Sequence, residues 1–341
     1  MLKKILLGSI AISLFGGGLR CQSKSSSSRD SSLEYVASYK FDEESLSKHL
    51  SAISSTPHPM GSTQQETVRD YIIEQGKALG LSMYTDTFQA SVPNPVLLDS
   101  PDAPAALSLE KTGHNVYGLL GGTKSCVYLV GSHYDSKYFA DIEYRGANDS
   151  GSSSAALFPL VEAIKEYPTL GRCDYLFVWF DGEEAYLPEW NDGIYRHPAK
   201  TQDNTYGSRH LADSLIECQN STSWCLPENY NSLEVKGLLL LDMIGSPEIS
   251  LSRDRNSDPD WLSLALVIDS ELKLNLFGSS SLAIEDDHIP FKNKGITVLN
   301  LIDFHHLDYW HKAGDDQANV SISSITAASK IALGTLLKIN E

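Results

Sequence analysis

The sequence predicts an α/β fold, a three-layer sandwich in which helices flank a central mixed, largely parallel sheet. Two observations predict it. Short β-rich runs alternate with helical patterns along the chain. Those runs are nearly continuous in apolar residues rather than alternating, as strands buried on both faces read. The 341 residues, 41% hydrophobic and 21% charged, suffice for a large core. From about Phe41 onward no linker, repeat or low-complexity segment interrupts the pattern, so one domain is expected over residues 41–341.

The N-terminus stands outside that domain. A short basic start, an apolar run over residues 5–19 too short to span a bilayer, and Cys21 just beyond mark residues 1–20 as an export signal peptide. Cys21 is a candidate for lipid attachment as the first residue of a bacterial lipoprotein, although Arg20 occupies the place where a lipobox has a small residue. The plain alternative is a cleaved, freely soluble exported protein. The polar stretch QSKSSSSRDSS leads residues 21–40 to be read as a flexible tether. The expected location is therefore periplasmic, or at the membrane through Cys21 alone. Removing residues 1–20 takes away Lys3, Lys4 and Arg20 and no acid, which moves the formal charge from −17 to −20. Nucleic acid and anionic membrane surfaces are poor partners for such a body. Four cysteines remain, and Cys218 with Cys225, close together in an expected loop, is the expected disulfide.

Helical spacing is found at residues 43–53, 64–79, 207–215, 261–272 and 323–339. The strand runs are CVYLVG from Cys126, YLFVWF from Tyr175, GLLLL from Gly237 and ITVLNLI from Ile296. SAALFPLVEAI, after Asp149, reads as a covering helix that begins late or is kinked by Pro159. It would set the preceding turn near its positive N-terminal end. Tyr134, Tyr138, Phe139 and Trp179 read as packing residues.

Ionisable residues follow every one of the four runs: His133 and Asp135; Asp181, Glu183 and Glu184; Asp242; Asp303 and the histidines beyond it. In open α/β sheets, sites form outside the carboxyl ends of the strands, so four segments deliver charge to one edge. Carboxylates gathered there would repel one another unless a cation sat among them. Histidines at 133 and 311 beside those acids point to zinc or a similar transition metal over calcium or magnesium.

GSHYDSK, GANDSG, FDGEEAYLPEW, LLLLDMIGSP, IEDDHIPF and DYWH occur in the order and approximate spacing of the zinc-dependent glutaminyl cyclases, which the sequence resembles. Those enzymes are relatives of zinc aminopeptidases within the M28 peptidase-like superfamily. Weaker likeness extends to TPHPMGS and GSRHLA, so the resemblance covers most of the chain after Ser54. It implies that Asp149, Glu184 and His311 are zinc ligands around an open fourth position, and that Glu183 is the general base and acid. Adjacent side chains of an extended segment point to opposite sides, which agrees with Glu184 binding metal while Glu183 stays free. Asp242 and Asp286 match paired acids that share a proton, and Trp190 and Trp310 match aromatic walls of a small pocket.

The implied reaction converts an N-terminal glutaminyl residue of a peptide or protein into pyroglutamate with release of ammonia. Departures are Asn300 in place of a histidine of the animal enzymes, His306 near a pocket phenylalanine, and Ser132 at one position of a disulfide near the site. His305 and His306 read equally as a nearby loop or as substrate contacts. Aminopeptidase relatives use equivalents of His133, Asp149 and Asp242 for a second metal, so one zinc or two remains open. Two rival functions follow. One is a two-zinc aminopeptidase. The other is an inactive surface-binding domain, against which the retention of Asp149, Glu183, Glu184, Asp242 and His311 argues.

Overall fold

The structure, a computed structural model, describes residues 31–94, 108–167, 172–187, 190, 192–193, 204–220 and 234–341. Its frame is a six-stranded sheet of strand order β1-β2-β4-β3-β5-β8. The strands are β1 (Ser82–Pro93), β2 (Ser108–Leu120), β3 (Cys126–His133), β4 (Asp174–Phe180), β5 (Glu234–Asp242) and β8 (Val298–Ile302). The strands β4, β3, β5 and β8 run parallel, and β1 and β2 extend the sheet antiparallel on one side. A separate parallel pair, β6 (Leu251–Asp254) and β7 (Phe277–Leu282), lies outside it.

The parallel strands read as unbroken apolar runs because both side-chain parities are buried. In β4, Tyr175, Phe177 and Trp179 enter one core while Leu176, Val178 and Phe180 enter the other. Each such side chain contributes about 1.5–3 kcal/mol relative to exposure. The first core is covered by α1 (Ser31–Ser38), α2 (Glu43–Ile53), α3 (Thr63–Ala78), α4 (Ser153–Glu166), α6 (Pro259–Leu272) and α8 (Ile322–Ile339). The second is covered by α5 (Tyr206–Asn220) and α7 (His288–Asn293), through Leu211, Ala212 and Phe291. The three-layer sandwich expected from the sequence is the observed fold.

Helix starts are fixed locally. Asp42 accepts the N–H groups of Glu44 and Ser45, Ser62 that of Gln65, and Ser321 that of Ser324; each cap is worth ~1 kcal/mol. The covering helix α4 begins late, at Ser153, and continues through Pro159.

Some expectations change. The tether predicted to reach residue 40 ends earlier: residues 31–38 form α1, and Val36 is buried in the first core, because an apolar side chain follows the serine run at helical reach of that core. The signal peptide, Cys21 and the start of the tether lie outside the described residues, and so does Cys225, with it the expected Cys218–Cys225 pair. The disulfide that is seen joins Cys126 to Cys173, 47 residues apart in sequence. These residues stand at the starts of β3 and β4, and parallel neighbours put their starting ends side by side.

Candidate metal and catalytic site

At the carboxyl ends of the parallel strands the chain turns sharply, and the turns aim the acids. After β4, Gly182 takes φ 68°, a conformation glycine adopts without steric cost. A Cβ there would meet Met60 Sδ at 2.5 Å. The next two backbone N–H groups, of Glu183 and Glu184, donate to the two oxygens of Asp135 at 3.1 and 3.3 Å. Asp135 also lies 3.5 Å from His133 Nδ1, so one buried carboxylate sets both glutamates and the imidazole.

Asp149 sits in the irregular turn Ala147–Ser152, entered through Gly146 at φ 59°. Its N–H donates to Asp315 Oδ2 at 3.2 Å, and the Tyr144 hydroxyl donates to its Oδ2 at 2.9 Å. This carboxylate links two histidines from distant segments. Its Oδ1 is 3.2 Å from His133 Nε2 and its Oδ2 is 3.5 Å from His311 Nε2. His311 Nε2 in turn lies 3.3 Å from Glu184 Oε2. His133 Nε2 lies 3.5 Å from Asp242 Oδ1 and 3.9 Å from Glu183 Oε2. Two three-residue groups therefore hold their donor atoms within 4.8 Å of one another: Asp149, Glu184 and His311, and His133, Asp149 and Asp242.

The charge balance is lopsided. Burial would lower the pKa of His133, but Glu183, Asp135, Asp149 and Asp242 overcome it and raise the imidazole well above its ordinary value. His311 is likewise pulled down by burial yet pushed up to about 9 by Glu184 and Asp149. Burial, with the charges of Asp286 and Asp149, raises Asp242 to about 8 against the nearby His133 imidazole. Glu183 is raised well above the carboxylate range by burial, His133 opposing and Glu184, Asp286 and Asp287 reinforcing. Glu184 Oε1 and Oε2, His311 Nε2 and Asp242 Oδ1 are buried without a hydrogen-bond partner among the described residues. Leaving such atoms unsatisfied costs ~1–3 kcal/mol each. A divalent cation among carboxylate oxygens and imidazole nitrogens removes both difficulties, so the donor set fits a transition metal.

Beside the metal groups a cavity of about 350 Å³ opens. Glu183, Asp242 and Asp286 face into it, and Trp190, Trp310, Phe304 and Ile284 wall it. Trp310 stacks on His311 with ring centroids 4.0 Å apart and meets Phe304 edge-on at 5.6 Å, so it orients the imidazole as well as lining the pocket. Trp190, Met243 and His311, none of them glycine, all take φ between 50° and 56°. Strain of this kind, ~1–3 kcal/mol per residue, persists where surrounding structure imposes it.

The sequence model of peptidase family M28 matches residues 115–336. The chain belongs to that family. A glutaminyl-peptide cyclotransferase of Dictyostelium discoideum is 28% identical to it over 323 residues, covering 84% of this chain and 82% of its relative. A glutaminyl-peptide cyclotransferase-like protein of Mus musculus is 30% identical over 298 residues, covering 80% and 70%. The crystal structure of Acidobacteriales bacterium glutaminyl cyclase matches with a TM-score of 0.70 at 26% identity, over 89% of this chain and 96% of that one.

Within this M28 chain, Asp149, Glu183, Glu184, Asp242, Asp286, His311, Trp190, Trp310 and His133 thus meet at one place. Two other acids of the same strand ends, Asp181 and Asp303, do not join them. Asp181 is turned away, accepting from His114 N at 2.7 Å and Gln65 Nε2 at 2.6 Å. Asp303 accepts from Ser250 N and His305 N and contacts His306 Nδ1 at 2.8 Å, which makes it the organiser of a loop. His306 lines a neighbouring cavity that shares Trp310 and Met243 with the first, and Phe304 reaches the first cavity. Residue-by-residue reading missed Asp315, Tyr144 and Lys137. The buried Lys137 ammonium lies 3.7 Å from Glu184 Oε2.

Proposed function

We propose that this chain is a zinc-dependent glutaminyl-peptide cyclotransferase, converting N-terminal glutamine of peptides or proteins to pyroglutamate and ammonia. One observation carries the reading: a small aromatic-walled cavity in which Glu183, Asp242 and Asp286 stand beside the Asp149–Glu184–His311 group. The relatives' names agree with it.

Asp149, Glu184 and His311 would hold zinc, which when bound would supply Lewis acidity toward the side-chain amide oxygen of the substrate. The tryptophans enclose a compact side chain and exclude water. As the substrate α-amine attacks the side-chain amide carbon, Cδ, a C–N bond forms and Glu183 accepts the amine proton. When the bond to the amide nitrogen breaks, Glu183 returns that proton and ammonia leaves. A carboxyl group whose pKa burial lifts above the ordinary carboxylate range suits such a shuttle, worth ~10²–10⁴ in rate. Asp242 and Asp286, each raised by burial, share a proton and hold the amine or leaving group.

A second reading, a two-metal aminopeptidase, is favoured by the His133–Asp149–Asp242 group. In that reading Asp242 binds metal instead of pairing with Asp286. Incubating the zinc-loaded protein with a Gln-initiated peptide separates the two. Cyclisation lowers the peptide mass by one ammonia, whereas peptidase action removes the first residue. Release of the first residue with two metals per chain would overturn the proposal. The basic start and apolar run of residues 1–19, with a disulfide suited to an oxidising compartment, support export, and Cys21 supports a lipid anchor.

A further inference from the structure

Asp286 is held from behind by an unusual arrangement. One of its oxygens, Oδ2, accepts from Asn300 Nδ2 at 2.8 Å, and Oδ1 accepts from Asp287 N at 2.5 Å. The same Asn300 Nδ2 lies 3.4 Å from His288 Nδ1. On the other side of that ring, His288 Nε2 lies 3.0 Å from Asp254 Oδ2, in contact though off the line of a straight hydrogen bond. Asp254 Oδ1 accepts from Ile284 N at 3.0 Å, and Asp254 Oδ2 accepts from Ser257 Oγ at 3.2 Å. Ser257 Oγ accepts from Asn300 N at 2.9 Å and so closes a ring of polar contacts. Asn300, His288 and Asp254 are fully buried. The ring grips both ends of the pocket wall, Ile284 and Asp286.

The chemistry of the ring fixes its protons. An amide group has two N–H bonds on one nitrogen. Turned the other way, Asn300 would press its carbonyl oxygen against the Asp286 carboxylate, so the nitrogen must face it. If both N–H bonds are used, one goes to Asp286 Oδ2 and the other to His288 Nδ1. That nitrogen must then be bare, which puts the ring proton on Nε2, facing Asp254. We propose that Asn300 is a positioning residue for Asp286, and that His288, held by Asp254 as the Nε2–H tautomer, keeps the Asn300 amide from turning. Asn300 stands where the animal enzymes carry a histidine, and the neighbouring His288–Asp254 pair lets a rotatable amide act as a fixed donor. The catalytic consequence, though not the proton assignment, rests on the cyclotransferase reading.

Two measurements on the full-length, zinc-loaded protein test it. The first is a double-mutant cycle on a Gln-initiated peptide. N300L is expected to lower kcat by on the order of 10- to 100-fold, with KM changed by less than about threefold and zinc content unaltered. In a D286N background the same substitution should cost less than about twofold, because its effect passes through Asp286. Equal losses in both backgrounds, or a kcat for N300L within twofold of the parent, would overturn the proposal. The second measurement needs no activity and no stable variant at position 300. Nitrogen-15 spectra of histidine-labelled protein at pH 8, with His288 assigned by comparison with H288Q, should show Nε2 protonated and Nδ1 bare. A proton on Nδ1 would sink the assignment even if the chain cyclises peptides. The expected tautomer in a protein that does not cyclise them would remove only the functional reading.

Discussion

The two ends of the parallel strands obey opposite rules. At the amino ends a disulfide and paired polar groups hold the strands together. The Cys126–Cys173 disulfide clamps β3 to β4, and Cys173 exchanges two hydrogen bonds with the side chain of Asn340. Asp174 accepts from Gly122 N, and the Tyr175 hydroxyl donates to Leu336 O at the end of α8. At the carboxyl ends buried oxygens and a ring nitrogen lack partners among the described residues, like charges crowd together, and backbone strain collects at Trp190, Met243 and His311. Histidines show the contrast in one residue type. In the core covered by α2 and α4, burial drives His49 down to about 4 and keeps it neutral. At the site burial acts in the same direction, but carboxylates overcome it and raise His133 and His311. One end of the sheet is organised for stability and the other accepts instability to hold chemistry.

Substitutions that act at one end without touching the other would sharpen that division. The largest effect belongs to Glu183→Gln. The amide occupies the same space but cannot carry a proton, so kcat should fall by ~10²–10⁴. Zinc content and thermal midpoint should stay near the parent's, because Glu183 is not among the three expected ligands. A variant that still cyclises peptides at the parental rate would remove Glu183 from the chemistry. Next comes Cys126→Ser with Cys173→Ser. The bridge closes a loop of sequence separation 47, and its loss should cost about 2–4 kcal/mol in denaturant unfolding. Turnover per folded molecule should be unchanged, since the cysteines and the acids lie at opposite strand ends. A fall in kcat without a fall in stability would mean that the two ends are coupled.

How much of this could be read beforehand follows the same line. The four parallel strands and the acids after them were legible because burial on both faces leaves an unbroken apolar run, and sites gather at one edge of such sheets. The antiparallel hairpin β1–β2 was not legible. Its residues alternate in burial, as in Phe88, Ala90 and Val92, and its polar positions hide it from a search for continuous runs. The Cys126–Cys173 disulfide was not read because parallel strands bring together starts that are distant in sequence. Asp181, Glu183 and Glu184 looked equivalent as charges, yet Asp181 anchors Gln65 and the backbone of His114. Only the fold decides which way each carboxylate turns. Asp315 and Tyr144, which hold Asp149 in place, come from segments whose sequences carry no mark of that task.

The smallest expected effect concerns acid. His49 Nδ1 lies 2.8 Å from the Tyr71 hydroxyl, and its ring stacks on Phe158 with centroids 4.3 Å apart. Its folded pKa of about 4 lies below the ordinary value of 6.5 because burial disfavours the charged form, Asp42 opposing only weakly. Between those two values the unfolded chain binds a proton at His49 that the folded chain refuses. The stability that neutral His49 contributes is therefore complete above pH 6.5 and is lost as the pH falls toward 4. Allowing for partial screening by solvent, the loss is about 1–2 kcal/mol. Carboxylates elsewhere titrate in the same window, so the informative quantity is the difference between the parent and His49→Gln, which cannot take up the proton. Measured by urea unfolding, the parent's advantage at pH 7 should shrink steadily down to pH 4.5. An advantage that stays constant would mean that His49 takes its proton in the folded core as readily as in water, and the sharp contrast with the site histidines would be lost.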